Sequence, residues 1–277
     1  MRAGLIQLTS SDDPAANLSV TEGLIRQAAA DGATLIATPE VTNCISLSRA
    51  RQEEVLRQEA DDPTLAALSA LAAELGVHVL IGSLALRTEE PRFANRSILL
   101  TPEGRIAARY DKIHMFDVDL GSESYRESDG YRPGTRATLA PLGDARLGMT
   151  ICYDLRFPAL YRQLAQAGAS IISIPSAFTR PTGEAHWEPL LRARAIETGC
   201  FVIAPAQTGT HAARPGDRQR QTHGHSLVVD PWGRILLDMG REAGFACVDL
   251  DLDAVAAARQ RVPSLRHDRE YEGPGAQ

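Results

Sequence analysis

This sequence predicts an α/β fold with mixed sheets, and three observations carry the prediction. Apolar runs of strand length alternate almost throughout with stretches whose apolar residues recur at helical spacing. Some neighbouring strand signals are joined by tight turns, Pro102-Glu103-Gly104-Arg105 and Asp230-Pro231-Trp232-Gly233, as antiparallel partners are, while others have a helix between them, as parallel partners need. The 277 residues, 44% hydrophobic and 23% charged, have ordinary globular composition and no linker, repeat or low-complexity tract. One domain over residues 1–277 is expected, with 262–277 as a C-terminal tail.

The elements follow in order. An apolar strand over 3–8 leads to a helix over 14–30, spaced by Leu18, Leu24, Ile25 and Ala28 and stopped at Asp31-Gly32. A strand over 34–37 ends at Thr38-Pro39-Glu40. A helix over 65–75 has Gly76 as its C-cap, and a buried strand over 77–84 follows. A hairpin pairs 96–101 with 106–109. Residues 113–136 read as irregular, and so long a loop in a compact domain is functional or disordered. A strand over 146–151 delivers Cys152, and a helix runs over 159–166. A strand over 170–174 ends at Pro175-Ser176, a helix spans 185–198, and a strand spans 201–204. A second hairpin pairs 226–229 with 234–237. A strand over 245–250 and a helix over 252–261 close the pattern. In helix 185–198, Trp187 and Arg194 serve packing by default.

Charge and cysteine usage exclude several functions. The net charge is −6, the arginines are scattered, and the densest group, Arg214 to Arg220, reads as a solvated loop; nucleic acid is not an expected partner. Cys44, Cys152, Cys200 and Cys247 are far apart and form no CxxC, against a zinc ribbon or a secreted disulfide scaffold. The N-terminal apolar run is too short for a signal peptide, and no run approaches the roughly 20 residues of a membrane span. A soluble cytoplasmic protein is expected.

Three reactive groups recur at one kind of place, a strand end followed by irregular chain: Glu40 in ATPEV, Lys112 in YDKIHMFD and Cys152 in TICYDLRFP. Sites in open α/β sheets form at such ends. A thiolate attacks an amide or nitrile carbon, a carboxylate moves its proton, and a fixed ammonium stabilises the oxyanion. Each residue also has an ordinary reading. Cysteine after an apolar run is common core filler, Glu40 suits a solvated loop, and Lys112 suits a surface ion pair. His114 could instead serve a Cys–His thiol hydrolase. His223 and His225, with His211, could hold a metal, although no acidic or cysteine ligand has matching spacing; no metal is expected. A binding module without turnover is a further alternative.

Seven segments in order resemble the nitrilase superfamily of carbon–nitrogen hydrolases: ATPEV, YDKIHMFDVD, YRESDGYRPG, GMTICYDLRFPALYRQLAQAGA, PSAFTRPTGEAHWEPLLRARAIE, PAQTGTH and GHSLVVDPWGRIL. The resemblance implies a four-layer α-β-β-α sandwich that dimerises, and a catalytic set of Glu40, Lys112 and Cys152 with Glu127 positioning substrate and lysine. It implies amide hydrolysis through a thioester without a cofactor. PSAFTRPTGEAHW and AQTGTH are similar to the branch of deaminated glutathione amidases, which would release 2-oxoglutarate and cysteinylglycine. The omega-amidases acting on 2-oxoglutaramate, or another small carboxylated amide, are the alternative. Tyr153 is expected to offer a backbone N–H to the oxyanion. Arg156, just past the nucleophile, is the expected carboxylate anchor. Phe178, Thr179, Thr182 and Gln207, with His211, are further pocket candidates. The place of the basic loop 212–221 is left open.

Overall fold

Two six-stranded sheets share one plan, three parallel strands at the centre flanked by antiparallel ones. The structure, a computed structural model, describes residues 1–121 and 124–275. Ser122 and Glu123 of the expected irregular stretch, and Ala276 and Gln277 of the expected tail, lie outside the described residues.

In chain order, β1 (Arg2–Gln7), α1 (Pro14–Ala30) and β2 (Leu35–Ala37) lead to α2 (Arg49–Val55) and α3 (Pro63–Leu75). Then come β3 (His78–Leu86), β4 (Ala94–Leu100), β5 (Ile106–Asp111), a small ribbon of β6 (Asp117–Asp119) and β7 (Ser124–Arg126), and the single turn α4 (Glu127–Gly130). The second half runs β8 (Thr138–Leu142), β9 (Ala145–Met149), α5 (Pro158–Gln166), β10 (Ile171–Ser173), α6 (Arg180–Thr198) and β11 (Phe201–Ala204). A second ribbon, β12 (Thr208–His211) with β13 (Arg220–His223), precedes β14 (Leu227–Val229) and β15 (Ile235–Asp238). β16 (Gly244–Asp249) returns to pair with β1, and α7 (Asp253–Arg261) follows. The sheet orders are β16-β1-β2-β3-β4-β5 and β15-β14-β11-β10-β9-β8.

The layering follows from strand alternation. Leu5, Leu35, Leu80 and Leu99 of the first sheet share a core with Leu147, Met149, Ile171 and Val202 of the second. Their neighbours Ile6, Ile36, Val79 and Ile98 point the other way, onto Ile25 and Ala28 of α1 and Leu65 and Leu68 of α3. With α5 and α6 on the far side of the second sheet, the result is a four-layer α-β-β-α sandwich of mixed sheets.

Local chemistry sets the element ends. Asp13 caps α1 by accepting from Ala15 and Ala16, Asp62 caps α3 through Leu65, and each helix begins with proline. Gly76 closes α3 in the left-handed conformation. α6 begins five residues before the expected 185, because Pro181 suits a first turn; Pro189 inside it lies on the exposed face, where water can serve the freed carbonyl. The stretch 113–136 is not wholly irregular, since it holds β6, β7 and α4. α2, β8 and the β12–β13 ribbon also lacked a periodic signal, being short or half-exposed. The tail is anchored at its start, where Asp268 accepts from Arg162 and Gln166 of α5.

Gly82 of β3 lies where the loop after β10 in the second sheet packs tightly on the first. A Cβ there would stand 1.9 Å from the Thr38 carbonyl oxygen and 2.6 Å from Pro175. Both obstacles are rigid backbone or ring, and both border the strand ends that carry Glu40 and Cys152. Gly82→Ala is therefore expected to cost about 3 kcal/mol, the upper end of overpacking penalties, measured by urea unfolding; a loss below about 0.5 kcal/mol would refute the close approach.

Candidate active site

Strand direction brings the three reactive groups together. β5 runs the same way as β2 and β3, because β4 opposes both of its neighbours. Glu40, three residues beyond β2, and Lys112, next after β5, therefore emerge at one edge. Cys152 lies three residues beyond β9, on the second sheet. Its N–H donates to the Pro175 carbonyl, tying it to the loop after β10. The turn is tight, with Cys152 at φ 49° and Val41, beside Glu40, at φ 48°. A non-glycine residue pays for such a backbone only where the surroundings enforce it.

Glu40, Lys112 and Cys152 are all buried. The Lys112 ammonium donates to Glu40 Oε1 at 2.8 Å and to the Glu127 oxygens at 2.8 and 3.0 Å. Asn95 Nδ2 donates to the same Glu40 oxygen at 2.9 Å and reaches Glu127 at 3.3 Å. The second Glu40 oxygen accepts from the Ala177 N–H at 2.9 Å, and Glu127 accepts from the Phe116 N–H at 2.6 Å. The Tyr153 N–H precedes the first bond of its own turn, Asp154 N–H to Ile151, so that turn gives it no acceptor.

Charge is distributed to suit proton transfer. Burial works to raise the Glu40 carboxyl, but the charge and hydrogen bond of Lys112, with Arg220 beyond, outweigh it and hold Glu40 below its ordinary value. Burial likewise opposes the Lys112 ammonium, yet Glu127 and Glu40 keep it well above the usual lysine range. Burial, reinforced by the Glu40 carboxylate and only partly countered by Lys112, pushes the Cys152 thiol far up. Near neutrality the site holds a thiol beside a carboxylate, so a base must act at the moment of attack.

Above this cluster lies a cavity of ≈ 640 Å³, floored by Glu40, Lys112, Glu127 and Cys152. That is the size of a small-molecule site. Tyr153, Phe178, Thr179 and Thr182 line it.

A sequence model of the family described as carbon-nitrogen hydrolase matches residues 2–260. The chain belongs to the carbon–nitrogen hydrolases. It is 40% identical to a deaminated glutathione amidase of Yersinia enterocolitica over 269 residues, 96% of this chain and 92% of that one. It is 36% identical to the Homo sapiens protein of the same name, covering 95% of this chain and 80% of that one. Among solved structures, the C. elegans NitFhit protein matches with a TM-score of 0.89 at 33% identity, covering 97% of this chain and 65% of that one. Saccharomyces cerevisiae Nit3, a member of branch 10 of the nitrilase superfamily, matches at 0.84 and 27%, covering 96% of each chain.

Three expected pocket residues of the hydrolase, Gln207, Arg156 and His211, are not among those lining the cavity. Gln207 is fully buried beneath the site and has spent its amide: it accepts from the Ser10 N–H and donates to Ser10 Oγ and the Glu40 carbonyl, which braces Glu40 from behind. Arg156 is not among the cavity-lining residues; its guanidinium meets His186 at 3.1 Å and lies over the rings of Tyr153 and Phe178. His211 also braces, through Ser10 and Thr222. His114 is held by Asp154 at 2.7 Å and stacks on Phe157, so it is occupied away from the thiol. His223 stacks on His225, and burial lowers it to about 4. Among the described residues no group of three or more His, Cys, Asp or Glu is placed to hold a metal. Trp187 and Arg194 are buried packing residues of α6, bonded to the His225 and Leu155 carbonyls.

Sequence reasoning missed two residues that assemble the site. Asn95 bridges both carboxylates but sits in an ordinary strand. Asp154, fully buried, accepts from Tyr110 Oη, the Ile151 N–H, and both the N–H and ring of His114. It clamps the chain on either side of Lys112 to the cysteine turn.

Lys112→Met would strand two carboxylates without their cation, at a cost of about 3–5 kcal/mol. The pH dependence follows from the shifts. The depressed Glu40 contributes stability above its ordinary value of 4.5 and loses it as pH falls through the folded value. The elevated Lys112 contributes below its ordinary 10.5. The stability gap between wild type and Lys112→Met, measured by denaturant titration, should be flat from about pH 6 to 9 and narrow below about pH 4; a gap that widens in acid would contradict the pairing.

Proposed function

We propose that this hydrolase is an amidase that cleaves deaminated glutathione to 2-oxoglutarate and cysteinylglycine. The observation that carries the chemistry is a buried cysteine, Cys152, on the same cavity floor as Glu40, with Lys112 pinned between Glu40 and Glu127. The substrate rests on the names of the similar proteins, which are called deaminated glutathione amidases in Yersinia enterocolitica, Synechocystis and mammals.

Glu40 takes the Cys152 proton as sulfur attacks the amide carbon. Once protonated, Glu40 no longer holds its Lys112 N–H as a carboxylate does. That N–H turns to the new oxyanion together with the Tyr153 N–H. Glu40 then gives its proton to the leaving amine, and the tetrahedral centre collapses to a thioester. A water entering where the amine stood loses a proton to Glu40 and attacks the thioester. The acid leaves and the thiol is restored. Glu127 keeps Lys112 fixed and charged through the cycle, and no metal or organic cofactor takes part.

The same reading makes the chain one catalytic domain of a cytoplasmic homodimer. All four cysteines are free thiols, which suits a reducing compartment. Among the described residues no helix is long and apolar enough to cross a membrane. Ile196, Trp232, Ile235, Leu236 and Val262 are exposed apolar side chains. Ile196 abuts Gly233, and Arg261 lies over Trp232, so α6, the β14–β15 turn and the end of α7 meet there. Such a patch suits an interface with a second copy.

Cys152→Ser should fold yet lose nearly all turnover, and intact-protein mass spectrometry of the wild type with a slow substrate should find the acyl group on Cys152; an adduct on Cys44 or Cys200 would refute the assignment. Deaminated glutathione should be hydrolysed with a higher kcat/KM than 2-oxoglutaramate, and the reverse order would make the hydrolase an omega-amidase. Ile196→Glu with Trp232→Glu should shift the light-scattering mass from dimer to monomer, and an unchanged mass would place the interface elsewhere.

A further inference from the structure

Lys112 cannot serve as a carboxylate anchor, since Glu40 and Glu127 already engage it. Five arginines also line the cavity: Arg49, Arg92, Arg126, Arg218 and Arg220. Arg49 is committed to Glu53 and to the Gly130 and Pro91 carbonyls, with its face on Phe93. Arg126 is turned to the carbonyls of Val118 and Tyr125. Arg92 and Arg218 are exposed at the rim.

Arg220 differs from these. It is half-buried on β13, and among the described residues no carboxylate pairs with it. Nη2 donates to the Ala177 carbonyl, while Nε is buried without a partner. The guanidinium carbon lies 5.8 Å from the ring centre of Tyr125, another lining residue. The Ala177 N–H donates in turn to Glu40, so a single residue, Ala177, links the cation to the proposed base. Glu40 is felt only at a distance, and a partly desolvated guanidinium with no carboxylate in contact is costly; an anion entering from the cavity offsets that cost. The N–H groups not used by Ala177 remain for a carboxylate.

We propose that Arg220 binds the carboxylate at the far end of the substrate's acyl group. The proposal rests on the amidase reading above and supplies its specificity. An acyl chain held at both ends, by thioester and by guanidinium, stays in place while the amine leaves and water enters. It also gives the basic loop 212–221 a purpose. The loop joins β12 to β13, and its start is pinned where the Arg214 guanidinium donates to Glu54 and its backbone N–H donates to Asp12.

The test compares glutaramate, an amide with a terminal carboxylate, with the neutral valeramide. In Arg220→Gln the ratio of their kcat/KM values should fall about 10- to 150-fold. Arg220→Lys, which keeps the charge but not the fork, should recover part of the ratio. In a Cys152→Ala background, Arg220→Gln should weaken glutarate binding by a similar factor in calorimetry, with thermal melting confirming the fold. An unchanged ratio with unchanged glutarate affinity overturns the proposal, as does a ratio lost in Arg156→Gln but kept in Arg220→Gln. Should the wild type fail to hydrolyse deaminated glutathione, the amidase reading fails, and the glutarate affinities still decide Arg220.

Discussion

The Lys112 ammonium is the constraint on which the rest of the site depends. Taking a cation out of water is costly unless anions meet it at hydrogen-bond distance. Glu40 and Glu127 do so, from the end of β2 and from the single turn α4. Without the lysine, Glu40 would be a buried carboxylate with no cation on it. Each group therefore fixes the loop of the others, and Asn95 spans the two acids on the same floor. A site built this way is arranged before substrate arrives, which is the condition for electrostatic catalysis in a dry pocket.

A second constraint joins this cluster to the nucleophile. Cys152 has a left-handed backbone that cysteine adopts only under compulsion. Two contacts compel it: its N–H on Pro175, and Asp154 directly below in the turn, which grips Ile151 on one side and the Tyr110–His114 stretch on the other. Lys112 lies in the middle of that stretch. One buried carboxylate thus sets the lysine against the thiol, and spends His114 in doing so.

The electrostatics favour a base that acts only with substrate present. Burial and the adjoining carboxylate keep Cys152 a thiol, unlike the thiolate–imidazolium pairs in which a histidine lowers the cysteine. Glu40 is correspondingly held ionised by Lys112. The proton moves when an amide carbonyl offers the sulfur somewhere to go.

Much of this was legible in the sequence. Alternating periods gave the α/β class, and tight turns beside helical crossovers gave mixed sheets, because these patterns are local. Glu40, Lys112 and Cys152 stood out because each followed a strand, and Glu127 was read through resemblance. Position along the chain could not show that Gln207 turns beneath Glu40, that Arg156 lies outside the cavity lining, or that Arg220, at the end of the basic loop, lines it. Asn95 and Asp154 were hidden for the same reason, since a polar residue in a strand or turn looks alike whether it faces water or a buried charge. The sequence by itself determined the elements and the reactive groups at their ends. Only the tertiary structure decided which groups meet, because a contact between residues 72 positions apart depends on strand order and direction, which the chain does not encode locally.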